Sequence, residues 1–129
     1  MGSGARGVSN LGQNILFLDD DEERVYKAKR LWPACTVVNT AKDCIAQLQK
    51  RTWTTVLLDH DLGGEQMVDS KREDCGMEVV RWICDNMPKI SEVVIHSFNA
   101  PAAVAMYERL HYAGYDVHRI PFGSGQMWK

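Results

Sequence analysis

Five short apolar runs recur along the chain, and each of the first four is followed by a stretch whose apolar residues return every three or four positions. Runs of this kind read as strands, and the intervening stretches read as amphipathic helices. A strand followed by a crossover helix and another strand yields a parallel sheet with helices on its faces. The first run, residues 14–18, is continuously apolar and ends in acids, as a strand buried on both faces should. Asp21 can cap the helix that follows, with Val25, Ala28 and Trp32 on one side and Pro33 as its stop. Residues 35–39 form a second strand, and Thr40 caps a helix with Ala41, Cys44, Ile45 and Leu48 inward. Residues 54–58 form the third strand, which runs into Asp59, His60 and Asp61.

The polar loop over 63–74 is long for a strand-to-helix connection, and such loops often carry function. A helix follows with Met77, Val80, Cys84 and Met87 as its stripe, ended by Pro88; Cys75 lies in the loop or at the helix start. Residues 92–95 form strand four and lead into His96, Ser97, Phe98 and Asn99. Pro101 suits the first turn of a helix, whose inner face is Ala103, Met106, Tyr107 and Leu110 and whose stop is Gly114. Residues 116–120 form strand five, and the nine that remain are too few for another full helix. The expectation is one α/β domain over 14–122, a loose or non-native leader over 1–13 and a tail over 123–129.

Composition narrows the function classes. Fifteen basic residues against seventeen acidic ones give a net charge of −2, so duplex DNA is not an expected partner. No apolar run approaches the ~18 residues of a membrane span, and no signal-peptide core follows the polar start, which points to the cytoplasm. The four cysteines, Cys35, Cys44, Cys75 and Cys84, lack metal-site spacing and read as reduced.

Chemistry collects at the strand ends. In an open parallel sheet, ligands bind beyond the carboxyl ends of the strands. Those ends carry Asp19, Asp20 and Asp21 after strand one, Asp59, His60 and Asp61 after strand three, and His96, Ser97 and Asn99 after strand four. Carboxylates so close repel one another unless a cation neutralises them. Oxygen donors favour Mg²⁺ or Mn²⁺, with an imidazole shifting preference toward Mn²⁺. Asp21 reads as a helix cap rather than a ligand, and Asn99 as either a cap or a ligand contact. Glu65, Asp69, Lys71, Arg72 and Glu73 read as a solvated loop, and Trp53 and Trp82 as packing residues. Asp59 and Asp61 would share one side of an extended strand with His60 on the other. The three converge only if the strand breaks there, which Gly63 and Gly64 permit.

The segment ILFLDDDEER at 15–24 resembles the first strand and acidic turn of response-regulator receiver domains, and the resemblance extends over roughly 14–122. It implies a flavodoxin-like, doubly wound five-stranded parallel sheet in the order 2-1-3-4-5, here without a final helix. Asp19 and Asp20 match the receiver acid pair that holds Mg²⁺, and Asp59 matches the phosphoacceptor. Asp61 stands where receivers place a backbone carbonyl on the metal, and Ser97 lies near their hydroxyl residue. The lysine that receivers carry before the proline after strand five is replaced by Ile120, ahead of Pro121. The segments LDHDLGG at 58–64 and IHSFN at 95–99 instead resemble the cyclic-phosphate-processing receiver-like family, which implies action on cyclic phosphate linkages.

Two functions of different class follow. One is a metal-dependent phosphodiesterase that opens a cyclic phosphate of a nucleotide, a cyclic oligonucleotide or an RNA end. There Asp19, Asp20 and Asp59 hold Mg²⁺ or Mn²⁺, with Asp61 as a further ligand. His60 and His96 serve as general base and acid. Ser97 and Asn99 hold phosphate oxygens, and Arg119 or His118 touches the substrate. The other is a degenerate receiver used as a signalling or binding module, or a domain that binds a cyclic nucleotide without cleaving it.

Overall fold

The computed structural model describes residues 14–122; the leader expected over 1–13 and the tail over 123–129, with the expectation of no final helix, lie outside the described residues. The chain alternates strand and helix as β1 (Ile15–Leu18), α1 (Glu22–Leu31), β2 (Thr36–Val38), α2 (Ala41–Lys50), β3 (Trp53–Leu58), α3 (Gly76–Asn86), β4 (Ile90–Ile95), α4 (Ala100–Tyr112) and β5 (Val117–Arg119). All neighbouring strands are parallel, in the order β2-β1-β3-β4-β5. This is the doubly wound sheet that the sequence predicts. The order turns back between β1 and β3, so the carboxyl ends of these two central strands flank the crevice where such sheets bind ligands.

Each helix begins on the residue expected to cap it where a polar side chain is available. Asp21 accepts from the Arg24 backbone N–H at 2.9 Å, Thr40 from Asp43 at 3.1 Å, and Asn99 from Ala102 at 3.3 Å. These contacts satisfy donors that a helix start leaves open. Cys75 holds the same position ahead of α3 without a side-chain cap bond.

One face of the sheet is covered by α2, α3 and α4, with Cys44, Leu48, Val79, Val80, Ile83, Met106 and Leu110 packed on Leu16, Leu18, Val56, Leu58 and Val93. The other face is covered by α1, where Ala28 and Trp32 pack on Ile15, Phe17, Leu57 and Val94 together with Phe122. Trp53 is buried and donates its indole N–H to the Gln47 carbonyl at 3.0 Å, so its role is packing as expected. The four cysteines are free. No helix among the described residues is long and apolar enough to cross a membrane.

One helix stripe differs from the expectation. Met87 is the C-cap of α3 at φ 50°, turned out of the helix and 52% exposed, while Val79 and Ile83 complete the buried face instead. Pro88 disfavours a helical conformation at the residue before it, so the stripe ends one turn earlier than its period suggests.

Candidate functional site

The register of β1 on β3 pairs Leu18 with Leu58, so the next residues along each chain, Asp19 and Asp59, emerge side by side at the rim. Asp19, Asp20 and Asp59 each present a carboxylate oxygen, and the three oxygens lie within 4.8 Å of one another. Asp19 is fully buried and Asp59 nearly so. Asp59 Oδ1 accepts from the His60 backbone N–H at 2.9 Å. Asp59 Oδ2 is buried without a hydrogen bond, its nearest cationic atom being Arg24 Nη2 at 3.7 Å. Burial and the neighbouring Asp19 charge push the Asp59 carboxyl up to about 8, against the opposing pull of the His60 N–H and Arg24. A hard divalent cation fits this donor set. It would take the orphaned oxygen and favour the ionised carboxylate against burial and the Asp19 charge.

Arg24, on the first turn of α1, donates to Asp19 through Nε at 2.7 Å and Nη2 at 3.1 Å. The hydrogen bond to Asp19 and the nearby charges of Asp19, Asp59 and Asp21 outweigh partial burial and raise its pKa further. A cation at a helix N-terminus opposes the helix dipole. That unfavourable placement is the one sequence signal that could have singled Arg24 out. Ile120, in the place of the receiver lysine, packs against the core on the α1 face.

The loop between β3 and α3 is tied to the same acids. Gly63 and Gly64 both adopt positive φ, 75° and 79°, and the Gly64 N–H donates to Asp20 Oδ2 at 2.6 Å. Asp61 accepts from the Met67 and Val68 backbone N–H groups at 2.6 and 3.1 Å and from Asn99 Nδ2 at 3.1 Å. It also pairs with His60 Nδ1 at 2.7 Å. Burial opposes ionisation of Asp61, but these bonds outweigh it and hold the carboxyl below its ordinary range. Asp61 therefore reaches the cleft but stands outside the group of three. Its oxygens fasten the loop.

The histidines depart from expectation. The chain leaves the sheet after Leu58, so His60 turns inward, where it is fully buried. Its Nε2 meets Ser70 Oγ at 2.9 Å. Burial alone would lower its pKa, but hydrogen bonds with Cys75 and Asp61 raise it overall. His96 is also buried, stacked on Phe17 with ring centroids 4.9 Å apart and 7° between planes. Its Nε2 lies 3.2 Å from the Leu18 carbonyl and so carries the proton, while Nδ1 lies 3.7 Å from Asp19 Oδ2. Burial pushes its pKa down to about 4, against the pull of Asp19. Neither ring lines the cleft. Both stand behind the acids, His60 behind Asp61 and His96 behind Asp19.

A cleft of about 400 Å³ opens above the acids, with Arg24, Met67, Ser97, Phe98 and Asn99 in its walls. Ser97 Oγ accepts from the Asn99 backbone N–H at 3.0 Å. Asn99 caps α4 through Oδ1, as one of its two readings expects, and its Nδ2 donates to Asp61 at the cleft. Arg119 does not reach the site, because it projects, exposed, from edge strand β5. His118 there faces Asp116 at 3.1 Å. Gly76 went unnoticed in the sequence. A Cβ at this position would overlap the Asp59 carbonyl oxygen and lie 2.9 Å from His60 Cα. The start of α3 thus sits directly on the backbone of the acid site, closed by Gly76 N–H donating to the His60 carbonyl at 2.9 Å.

Comparison with known proteins agrees with this geometry. The model of the cyclic-phosphate processing receiver domain matches residues 14–112. No curated protein matches the chain. Among solved structures, a CheY-like response regulator receiver domain protein from Methanospirillum hungatei aligns with a TM-score of 0.60 and 17% identity, over 88% of this chain and 83% of its own. The Mn(2+)-bound form of response regulator Rcp1 aligns at 0.58 and 16% identity, over 90% and 86%. NtrX from Brucella abortus, in complex with ATP, aligns at 0.61 and 24% identity, over 87% of this chain and 24% of its own. At these identities the structures share the fold.

Proposed function

The chain belongs to the cyclic-phosphate-processing receiver family, and from that membership we propose that it is a metal-dependent phosphodiesterase opening a cyclic phosphate of a nucleotide, a cyclic oligonucleotide or an RNA end. The observation that carries this reading is the acid group itself: three carboxylates within 4.8 Å, an orphaned Asp59 oxygen, and the Arg24 guanidinium beside them. Asp19, Asp20 and Asp59 would hold Mg²⁺ or Mn²⁺. Bound there, the cation supplies Lewis-acid polarisation of a phosphate oxygen. Arg24, with 27% of its side chain exposed, contributes a guanidinium matched to phosphate geometry. Ser97 offers a hydroxyl to a second phosphate oxygen. His60 and Asp61 are assigned positioning roles, Asp61 fastening the loop at the cleft and His60 supporting it from behind. His96 acts as a positioning residue beneath Asp19.

A panel assay tests the proposal. RNA ends with 2′,3′-cyclic phosphate, 3′,5′-cyclic nucleotides and cyclic oligonucleotides are incubated with the protein and Mg²⁺ or Mn²⁺. Opening of at least one class, abolished in Asp59→Asn, is the expected result. The other reading, a receiver-type signalling or binding module, is favoured by the position of Asp59 at the end of β3. It predicts no opened substrate and a stable added phosphoryl group on Asp59 after exposure to a small phosphoryl donor, read by intact mass.

A further inference from the structure

We propose that Phe98 and Met67 form a nucleobase platform at the mouth of the acid cleft, so that the substrate is a cyclic phosphate carrying a base rather than a base-free one. This rests on the reading of the acid group as a cyclic-phosphate site. Phe98 is 63% exposed and Met67 66% exposed, and both line the cleft that holds Asp20, Asp59 and Arg24.

A single exposed apolar side chain carries little meaning. These two are held outward by their surroundings. Phe98 lies between Ser97 and Asn99, both buried and joined by the 3.0 Å bond from Asn99 N–H to Ser97 Oγ, while Asn99 caps α4. The backbone at Phe98 is therefore pinned on both sides, and its ring projects from a rigid turn. Met67 adopts φ 53°, a conformation that costs a long side chain of order 1 kcal/mol or more and collects at functional sites. The 2.6 Å bond from its N–H to Asp61 holds it there.

The Arg24 guanidinium lies 5.7 Å from the Phe98 ring centroid while binding Asp19. One residue thus bridges the acid group and the aromatic surface. The cleft volume, about 400 Å³, falls in the ~300–1,000 Å³ range of small-molecule pockets and leaves room beyond a bare phosphate ring. A flat aromatic ring, a pliable thioether and an adjoining cation are the groups that stack on a base regardless of its identity.

The test is binding, measured calorimetrically on the full chain with Mn²⁺ present. Adenosine 2′,3′-cyclic phosphate and adenosine 3′,5′-cyclic phosphate are compared with glycerol 1,2-cyclic phosphate, which has no base. Manganese affinity is followed separately by electron paramagnetic resonance. The expected result is that at least one nucleotide binds about tenfold or more tighter than the glycerol compound. Phe98→Ala removes that margin, Phe98→Trp keeps it, and neither changes binding of Mn²⁺ or of the base-free ligand. Equal binding of nucleotides and glycerol compound, or an unchanged margin in Phe98→Ala, overturns the platform and leaves the cyclic-phosphate reading intact. Binding of none of the three by protein that takes up Mn²⁺ overturns both.

Discussion

Arg24 grips Asp19 through two hydrogen bonds, at 2.7 and 3.1 Å, while its Nη2 stands 3.7 Å from the unbonded oxygen of Asp59. Without a metal it partly neutralises the acid group in which a metal would sit. A cation held by Asp59 and Asp19 would weaken that grip and leave the guanidinium free to meet a phosphate oxygen.

Replacing Arg24 therefore moves two quantities in opposite directions. Arg24→Met should raise Mn²⁺ affinity several-fold, because it removes a competing positive charge near the carboxylates. It should lower turnover of a cyclic phosphate by about 10- to 100-fold, through loss of a charge-assisted hydrogen bond of ~1.5–3 kcal/mol. Metal titration and steady-state rates on the same preparation check both signs. A parallel fall in metal affinity would contradict this role.

Asp59 makes the stability of the metal-free protein fall as pH rises from the acid range to about 8. Its carboxyl is raised from 3.8 to about 8, so its contribution to stability is fully present below 3.8 and is lost as pH rises through 8. Asp59→Asn should remove this loss and stabilise the metal-free protein at pH 8 by on the order of a few kcal/mol. Added Mg²⁺ should stabilise the wild type and not the variant. Denaturant melts at pH 5 and pH 8, with and without Mg²⁺, provide the measurement.

His96 acts with the opposite sign. Its pKa is lowered from 6.5 to about 4, so its contribution is present above 6.5 and is lost as pH falls toward 4. The loss is about 3 kcal/mol over that window. In an Asp59→Asn background, which removes the opposing carboxyl, His96→Phe should keep the stack on Phe17 and flatten the acid limb. An unchanged acid limb would place the titrating group elsewhere.

Gly76→Ala should cost about 1–3 kcal/mol, typical of overpacking, because its Cβ would overlap the Asp59 carbonyl oxygen. The backbone that yields is the one carrying Asp59, so Mn²⁺ affinity should fall as well. Ala105→Gly, in the middle of α4, supplies a control that lowers stability by about 1 kcal/mol without touching metal binding.

The sheet and its acids were legible because both follow from period and position. Apolar runs broken by capped helices define five parallel strands, and a residue directly after a central strand falls on the rim whatever the details. Asp19, Asp20 and Asp59 needed nothing more. The histidines needed the path of the chain after the strand, which no period encodes. His60 turns inward because the chain breaks from the sheet after Leu58, and His96 turns onto Phe17, a neighbour 79 positions earlier in the chain. Asp61 looked like a ligand beside Asp59, yet the loop folds back onto it and occupies its oxygens. Arg24 left only the signal of a cation at a helix start, and Gly76 left none, because each acts through a contact that the fold makes, the guanidinium reaching Asp19 and the start of α3 pressing on Asp59.

The most direct measurement is phosphorus NMR of adenosine 2′,3′-cyclic phosphate, adenosine 3′,5′-cyclic phosphate and a cyclic dinucleotide, each incubated with Mn²⁺-loaded protein and then freed of metal. Conversion of at least one to an open phosphate ester by the wild type, with none by Asp59→Asn, is the predicted result. Intact substrates throughout, with Asp59 carrying a stable phosphoryl group after exposure to a small donor, would contradict it and mark the domain as a receiver.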